Sequence, residues 1–175
     1  MTESAGLPHE SVHPACLDTE RLTRACEFRT SRASGPGGQH RNKVETAVTA
    51  THVATGWTGQ ASERRSQVEN KAEALRRLRL ALAVEVRTLP AATPSERWRA
   101  RSRNGRIACN PDHADFPALL SEALNALAAS GWDARAAAGT LRVTPTQLVR
   151  LVAGHAPALR RMNRERAGLG LGPLR

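Results

Sequence analysis

Val44-Glu45-Thr46-Ala47-Val48-Thr49-Ala50-Thr51-His52-Val53 is rich in β-branched side chains, with Val44, Thr46, Val48 and Ala50 on one face and Glu45, Thr49 and Thr51 on the other. That alternation suits a strand with one covered face. Thr55-Gly56 reads as a turn and Trp57 to Ala61 as the returning strand. Then the period changes. Val68, Ala72, Leu75, Leu78, Leu82 and Val86 step by three or four residues, which predicts a helix near 65–86 with one apolar stripe, and Arg76, Arg77 and Arg79 lie off it. Its task would be to cover the sheet. Upstream, Asp18 is placed to cap a short helix through Leu22 and Ala25, and Cys26 to Ser31 alternates as a further strand. The prediction is an α+β fold with three or four mostly antiparallel strands under one long helix.

Between the first two strands runs Arg32-Ala33-Ser34-Gly35-Pro36-Gly37-Gly38-Gln39-His40-Arg41-Asn42-Lys43. Glycines lack a Cβ and adopt φ > 0 at no steric cost, so a partner can approach this backbone closely. Gln39 stands among Arg32, His40, Arg41 and Lys43 with little nearby negative charge. General acid–base work would want a carboxylate or an activated histidine, and a nucleophile would want Ser or Cys beside a base. Glutamine offers hydrogen bonds instead, including an unobstructed backbone N–H that can stabilise developing negative charge. Taken alone, Gly37-Gly38-Gln39 also reads as a flexible linker or a phosphate-cradling turn. The loop at 33–42 is expected to lack order until a partner surrounds it.

A second block stands downstream. Ala47-Val48, Thr51-His52 and Thr55-Gly56 are followed by Glu63-Arg64-Arg65-Ser66-Gln67-Val68-Glu69-Asn70-Lys71-Ala72. The Gly-Gly-Gln tripeptide, its flanks and this block at this distance resemble the class I peptide chain release factors, over about residues 25 to 85. The resemblance implies a catalytic loop that enters the peptidyl-transferase centre of the ribosome beside the ester joining peptide to tRNA. In that reading the Gln39 N–H stabilises the transition state or the leaving oxygen, its side chain positions water, and Gly37 and Gly38 permit the backbone shape. Arg32, Ser34, His40, Arg41, Asn42 and Lys43 would contact ribosomal RNA. Gln67, Asn70 and Lys71 would support the loop from the helix start, although for Gln67 and Lys71 an ordinary exposed helix N-terminus fits equally well. No metal and no cofactor are required.

Composition agrees with a nucleic-acid partner. The formal charge is +10, and all but Lys43 and Lys71 of the 26 basic residues are arginine. Arginine's planar fork binds phosphate two-pronged and stacks on bases, although an arginine-rich codon usage accounts for the ratio as well. No apolar run approaches membrane-spanning length, and no secretory signal is visible, so a cytoplasmic protein without a membrane partner is expected. Cys16, Cys26 and Cys109 are odd in number and widely spaced, as expected of free thiols. His9, His13 and Cys16 lack the paired spacing of a zinc site.

Beyond the long helix, Pro90 and Pro94 break the pattern, and Arg97, Arg99, Arg101, Arg103 and Arg106 surround Trp98. Two readings are open: an RNA-contacting arm with Trp98 as a stacking platform, or a solvated loop with Trp98 packed inward. Ile107 to Cys109 is expected to pair back onto the sheet. A helical part follows. Asp115 is placed as an N-cap, and Leu119, Leu120, Ala123, Leu124 and Leu127 form a stripe that Gly131 closes. Asp133 caps a second helix through Leu141, and Thr144-Pro145 starts a third. Ala137, Leu141, Val143 and Leu148 give helix-turn-helix spacing, but Arg142 holds the turn position often given to glycine, and few side chains of the last helix are suited to reading bases. A structural or ribosome-docking role is favoured over DNA binding. Arg160, Arg161, Arg164 and Arg166 make a last basic helix before a Gly/Leu/Pro tail.

The expected organisation is a flexible tail at 1–16, a catalytic domain at 17–111 and a helical region at 112–175. Only some 30 residues precede the loop, so stop-codon reading is not expected. The function this implies is a monomeric, ribosome-dependent peptidyl-tRNA hydrolase in termination or ribosome rescue. Alternatives are a non-catalytic ribosome or RNA adaptor and, less favoured, a helix-turn-helix DNA-binding protein.

Overall fold

The computed structural model describes residues 12–32 and 46–175. Ser34 to Lys43, with the expected lack of order at 33–42, lie outside the described residues. Helix α1 (Thr19–Arg24) is capped by the Asp18 carboxylate, which accepts from the Arg21 N–H at 2.7 Å. Strands β1 (Cys26–Ser31), β2 (Ala47–His52) and β3 (Thr58–Ala61) form an antiparallel sheet in the order β1-β2-β3. Val48, Ala50, Gly59 and Ala61 are buried on one face, where Val48 opposes Ala61 and Ala50 opposes Gly59. These side chains are small for a reason. A Cβ built on Gly59 would lie 2.1 Å from the Ala74 carbonyl oxygen and 2.4 Å from the Leu78 nitrogen, so the backbone of the covering helix rests directly on β3.

That helix, α2 (Gln67–Glu85), is capped by Ser66, whose Oγ accepts from the Glu69 N–H. The expected stripe holds from Leu75 through Leu78 and Leu82, but its first members do not. Val68 is 79 % exposed and Ala72 is exposed, whereas Asn70 is fully buried. The first turns of α2 turn a polar face, not an apolar one, toward the sheet. Farther along, Leu80, Ala83 and Val84 are buried as well, because a second helical layer covers α2 from behind. That layer is α4 (Phe116–Ala129), α5 (Ala134–Thr140), α6 (Pro145–Ala153) and α7 (Ala156–Gly168). Arg161 on α7 pairs with Glu85 on α2 at 2.6 Å.

Three further findings revise or settle expectations. Trp98, on α3 (Glu96–Arg101), is fully buried and its indole N–H donates to the Leu141 carbonyl at 2.9 Å, so it is a core residue and not a stacking platform. Ile107 does not join the main sheet. It belongs to a separate hairpin of β4 (Ser102–Arg103) and β5 (Arg106–Ile107), closed by Asn104 at φ 51° and Gly105 at φ 74°. Positive φ at both turn residues is the type I′ geometry that matches strand twist, so local pairing wins over return to the sheet. Asp115 precedes α4 as expected but makes no capping bond. Its carboxylate is held by Arg101 at 2.8 Å and Arg97 at 3.3 Å.

Where a loose tail was expected over 1–16, His13 and Ala15 are buried. The His13 Nε2 meets the Val86 carbonyl at 3.1 Å and Nδ1 accepts from the Ala15 N–H at 3.1 Å. One nitrogen donates and one accepts, so this imidazole is neutral, and burial lowers its pKa. At the other end, Asn163 exchanges two hydrogen bonds with Leu174, which folds the last residues back onto α7. The α5–α6 pair adopts the helix-turn-helix plan, with Arg142 at φ 55° in the turn and Ala137, Leu141, Val143 and Leu148 buried. The turn is also joined to the hairpin, since the Thr144 N–H donates to the Gly105 carbonyl at 2.9 Å. Among the described residues no helix is long and apolar enough to cross a membrane.

Candidate functional site

Residues 33–45 leave from the end of β1 and return at the start of β2, where Ser31 is paired with Ala47. The departure and return points are therefore adjacent strand ends. The N-terminus of α2 lies at the same end. The Asn70 side-chain N–H₂ donates to the Thr46 carbonyl at 2.6 Å and to the Arg64 carbonyl at 2.9 Å, while its oxygen accepts from the Arg64 N–H at 3.0 Å. One buried amide thus satisfies three backbone groups of two segments, which fixes the return point of the loop against the approach to α2. An unpaired buried polar group would be costly here, so the arrangement is self-consistent only with Asn at this position.

Other members of the downstream block also have structural roles. Glu63 pairs with Arg77 at 2.8 Å. Its pKa is lowered, chiefly by the bond from Arg77 and then by the Ser62 backbone N–H. Ser66 is the N-cap. Lys71 is exposed, but its Nζ sits 4.2 Å from the centroid of the Phe28 ring, a cation–π contact that ties α2 to β1. Gln67 is exposed one turn before Asn70 and Lys71, on the same helix face. Arg32 is exposed and directly follows β1. The structure therefore brings Arg32, Gln67, Asn70 and Lys71 to one end of the sheet. Gly37, Gly38, Gln39, Ser34, His40, Arg41, Asn42 and Lys43 lie outside the described residues.

Sequence reasoning singled out Asn70 but missed its partners, Arg64 and Thr46, because both take part through their backbone and no side-chain pattern marks them. Among the described residues no group of three or more His, Cys, Asp or Glu is placed to hold a metal ion. Cys16, Cys26 and Cys109 are free thiols.

This sheet, its covering helix and the clamp at the loop root coincide with a known domain. The RF-1 domain model matches residues 20–110, and the chain belongs to the class I peptide chain release factor family. It is similar to peptide chain release factor 1 of Rickettsia massiliae (strain Mtu5), with 36% identity over 113 residues, or 61% of this chain and 30% of the relative. The same protein from Rickettsia akari (strain Hartford) is 37% identical over the same shares, and that from Rickettsia prowazekii (strain Madrid E) is 36% identical. The chain thus spans about 30% of the length of the curated relatives it matches. No solved structure matches.

Proposed function

We propose that this chain is a peptidyl-tRNA ester hydrolase that acts only on the ribosome, in translation termination or stalled-ribosome rescue. Gly37-Gly38-Gln39 is its catalytic tripeptide. In this reading residues 17–111 are the catalytic unit and residues 112–175 a helical unit docked against α2. The protein works in the cytoplasm, on peptidyl-tRNA held by the large subunit.

The observation that carries the reading is the Asn70 clamp. A loop whose backbone must enter a partner's site gains from rigid roots, since a misplaced donor loses transition-state stabilisation steeply. Asn70 supplies such a root on the return side, and the Lys71–Phe28 contact steadies the strand on the departure side. Family membership supports the chemistry. The Gln39 N–H would donate to the tetrahedral transition state or the leaving 3′-oxygen, and the Gln39 side chain would order the attacking water. Arg32, Ser34, His40, Arg41, Asn42 and Lys43 would hold RNA phosphates around the loop.

The proposal includes release that does not depend on a stop codon. Peptide release from ribosomes carrying labelled peptidyl-tRNA tests it, with an empty A site, a stop codon, a sense codon and isolated large subunits compared. Equal release with an empty A site and a stop codon is expected. Release only at a stop codon would overturn codon independence, and none in any of the four would overturn the hydrolase reading in favour of a non-catalytic adaptor.

A further inference from the structure

The β4–β5 hairpin carries a charge arrangement that its own fold does not explain. Its two-residue turn, Asn104-Gly105, sets Arg103 directly opposite Arg106. The other pair, Ser102 and Ile107, alternates to the opposite face, where Ile107 is buried, so both arginines project away from the core. Like charges directly opposite on an antiparallel pair destabilise it. Neither arginine makes an ion pair or a side-chain hydrogen bond among the described residues, and both are exposed. By contrast Arg101, which immediately precedes the hairpin, is paired with Asp115.

The surroundings are built for an anion. Arg101, Arg103, Asn104, Arg106 and Ala108 line a cleft of about 540 Å³. The Thr144–Gly105 hydrogen bond holds the hairpin tip against the start of α6, and exposed Arg142 lies two residues before Thr144. A rigid turn with two opposed cations, hydrogen-bonded to a second turn that carries Arg142, can grip successive phosphates of one nucleic-acid strand.

We propose that the β4–β5 hairpin and the α5–α6 turn form a second RNA-binding site, which grips the phosphate backbone of a double-helical RNA. RNA is favoured over DNA because the cations gather at the hairpin and the turn, whereas α6 carries a single arginine, Arg150, in its last turn. Contact with backbone and helix shape is how A-form duplexes are recognised, whereas a DNA reader needs base-reaching side chains on the recognition helix. The inference extends the proposed function, from which the RNA class is taken, and its test uses no ribosome, so the two fail separately.

The test is fluorescence anisotropy of the full chain with RNA and DNA duplexes of roughly 20 base pairs, long enough to span successive grooves, over a salt series. Each lost phosphate contact removes roughly 0.9 from the log–log salt slope, so Arg103→Ala/Arg106→Ala should bind RNA more weakly with a slope shallower by about 2. Arg103→Lys/Arg106→Lys should keep the slope. Arg160→Ala/Arg164→Ala, which removes the same charge from α7, should change it less. Equal effects of the two alanine pairs would overturn the site, as would tighter binding to DNA than to RNA. The melting temperature of Arg103→Ala/Arg106→Ala should equal or exceed that of the parent, since repulsion is removed. A clear fall would contradict the argument.

Discussion

The Asn70 side chain donates to the Thr46 carbonyl at 2.6 Å across 24 residues of sequence, and this bond joins the start of α2 to the return point of the Gly-Gly-Gln loop. Replacing Asn70 therefore acts on stability and on the loop together. Asn70→Ala strands the Arg64 N–H and two carbonyls, and a loss of about 1–3 kcal/mol is expected. Asn70→Asp should be worse despite its similar shape, because a carboxylate would face the Thr46 and Arg64 carbonyls it cannot donate to. Denaturant melts of both variants check the order. An Asp variant as stable as the parent would show that the amide N–H₂ is not the donor.

Gly59 is where α2 touches the sheet. With the Ala74 oxygen only 2.1 Å from a built Cβ, Gly59→Ala must push α2 off β3. The close contacts, to the Ala74 oxygen and to the Leu78 nitrogen and Cα, are all backbone, which cannot swing aside as a flexible side chain does. The expected cost is at the upper end of the roughly 1–3 kcal/mol typical of overpacking, or beyond it. A thermal melt of Gly59→Ala within a few degrees of the parent would contradict this packing.

His13 predicts the acid limb of stability. Burial, with a smaller contribution from Arg87, lowers its folded-state pKa below 6.5, partly offset by the bond to Val86. The unfolded chain then binds the proton more readily, so stability is complete above about pH 6.5 and declines as pH falls below it. His52 and His155, also lowered by burial, add in the same direction. Between pH 7.5 and pH 5.5 the melting temperature should fall for the parent and fall less for His13→Gln. Identical pH profiles would remove His13 from the account.

The sheet and its helix are legible in the sequence because each has its own period. Cys26–Ser31 is found to the residue, and Asp18, Asp133 and Thr144 cap the helices they precede. The period misleads at Val68 and Ala72. They continue the apolar count backwards from Leu75, but α2 begins where its sheet-facing side is polar and no described element covers Val68. The hairpin is missed for a different reason. Ile107 looks like an extra strand of the main sheet, while the Asn104-Gly105 dipeptide, a strong signal for a two-residue hairpin, is what decides its partner. Trp98 is ambiguous in sequence because an indole among arginines suits both a core and an RNA surface. Its complete burial and the bond to Leu141, 43 residues away, separate them.

Single-turnover release of labelled peptide from ribosomes with an empty A site, by the parent and by Gly38→Ala at saturating protein, tests the central claim most directly. Gly38→Ala removes no polar group, but its Cβ blocks close approach and disfavours φ > 0. Losing one aimed transition-state donor costs on the order of 10²–10³ in rate, so the variant should fall at least that far while still binding ribosomes. Gln39→Ala keeps the backbone N–H and should retain partial hydrolysis. Full activity in Gly38→Ala with none in Gln39→Ala would place the chemistry on the side-chain amide and contradict the backbone account.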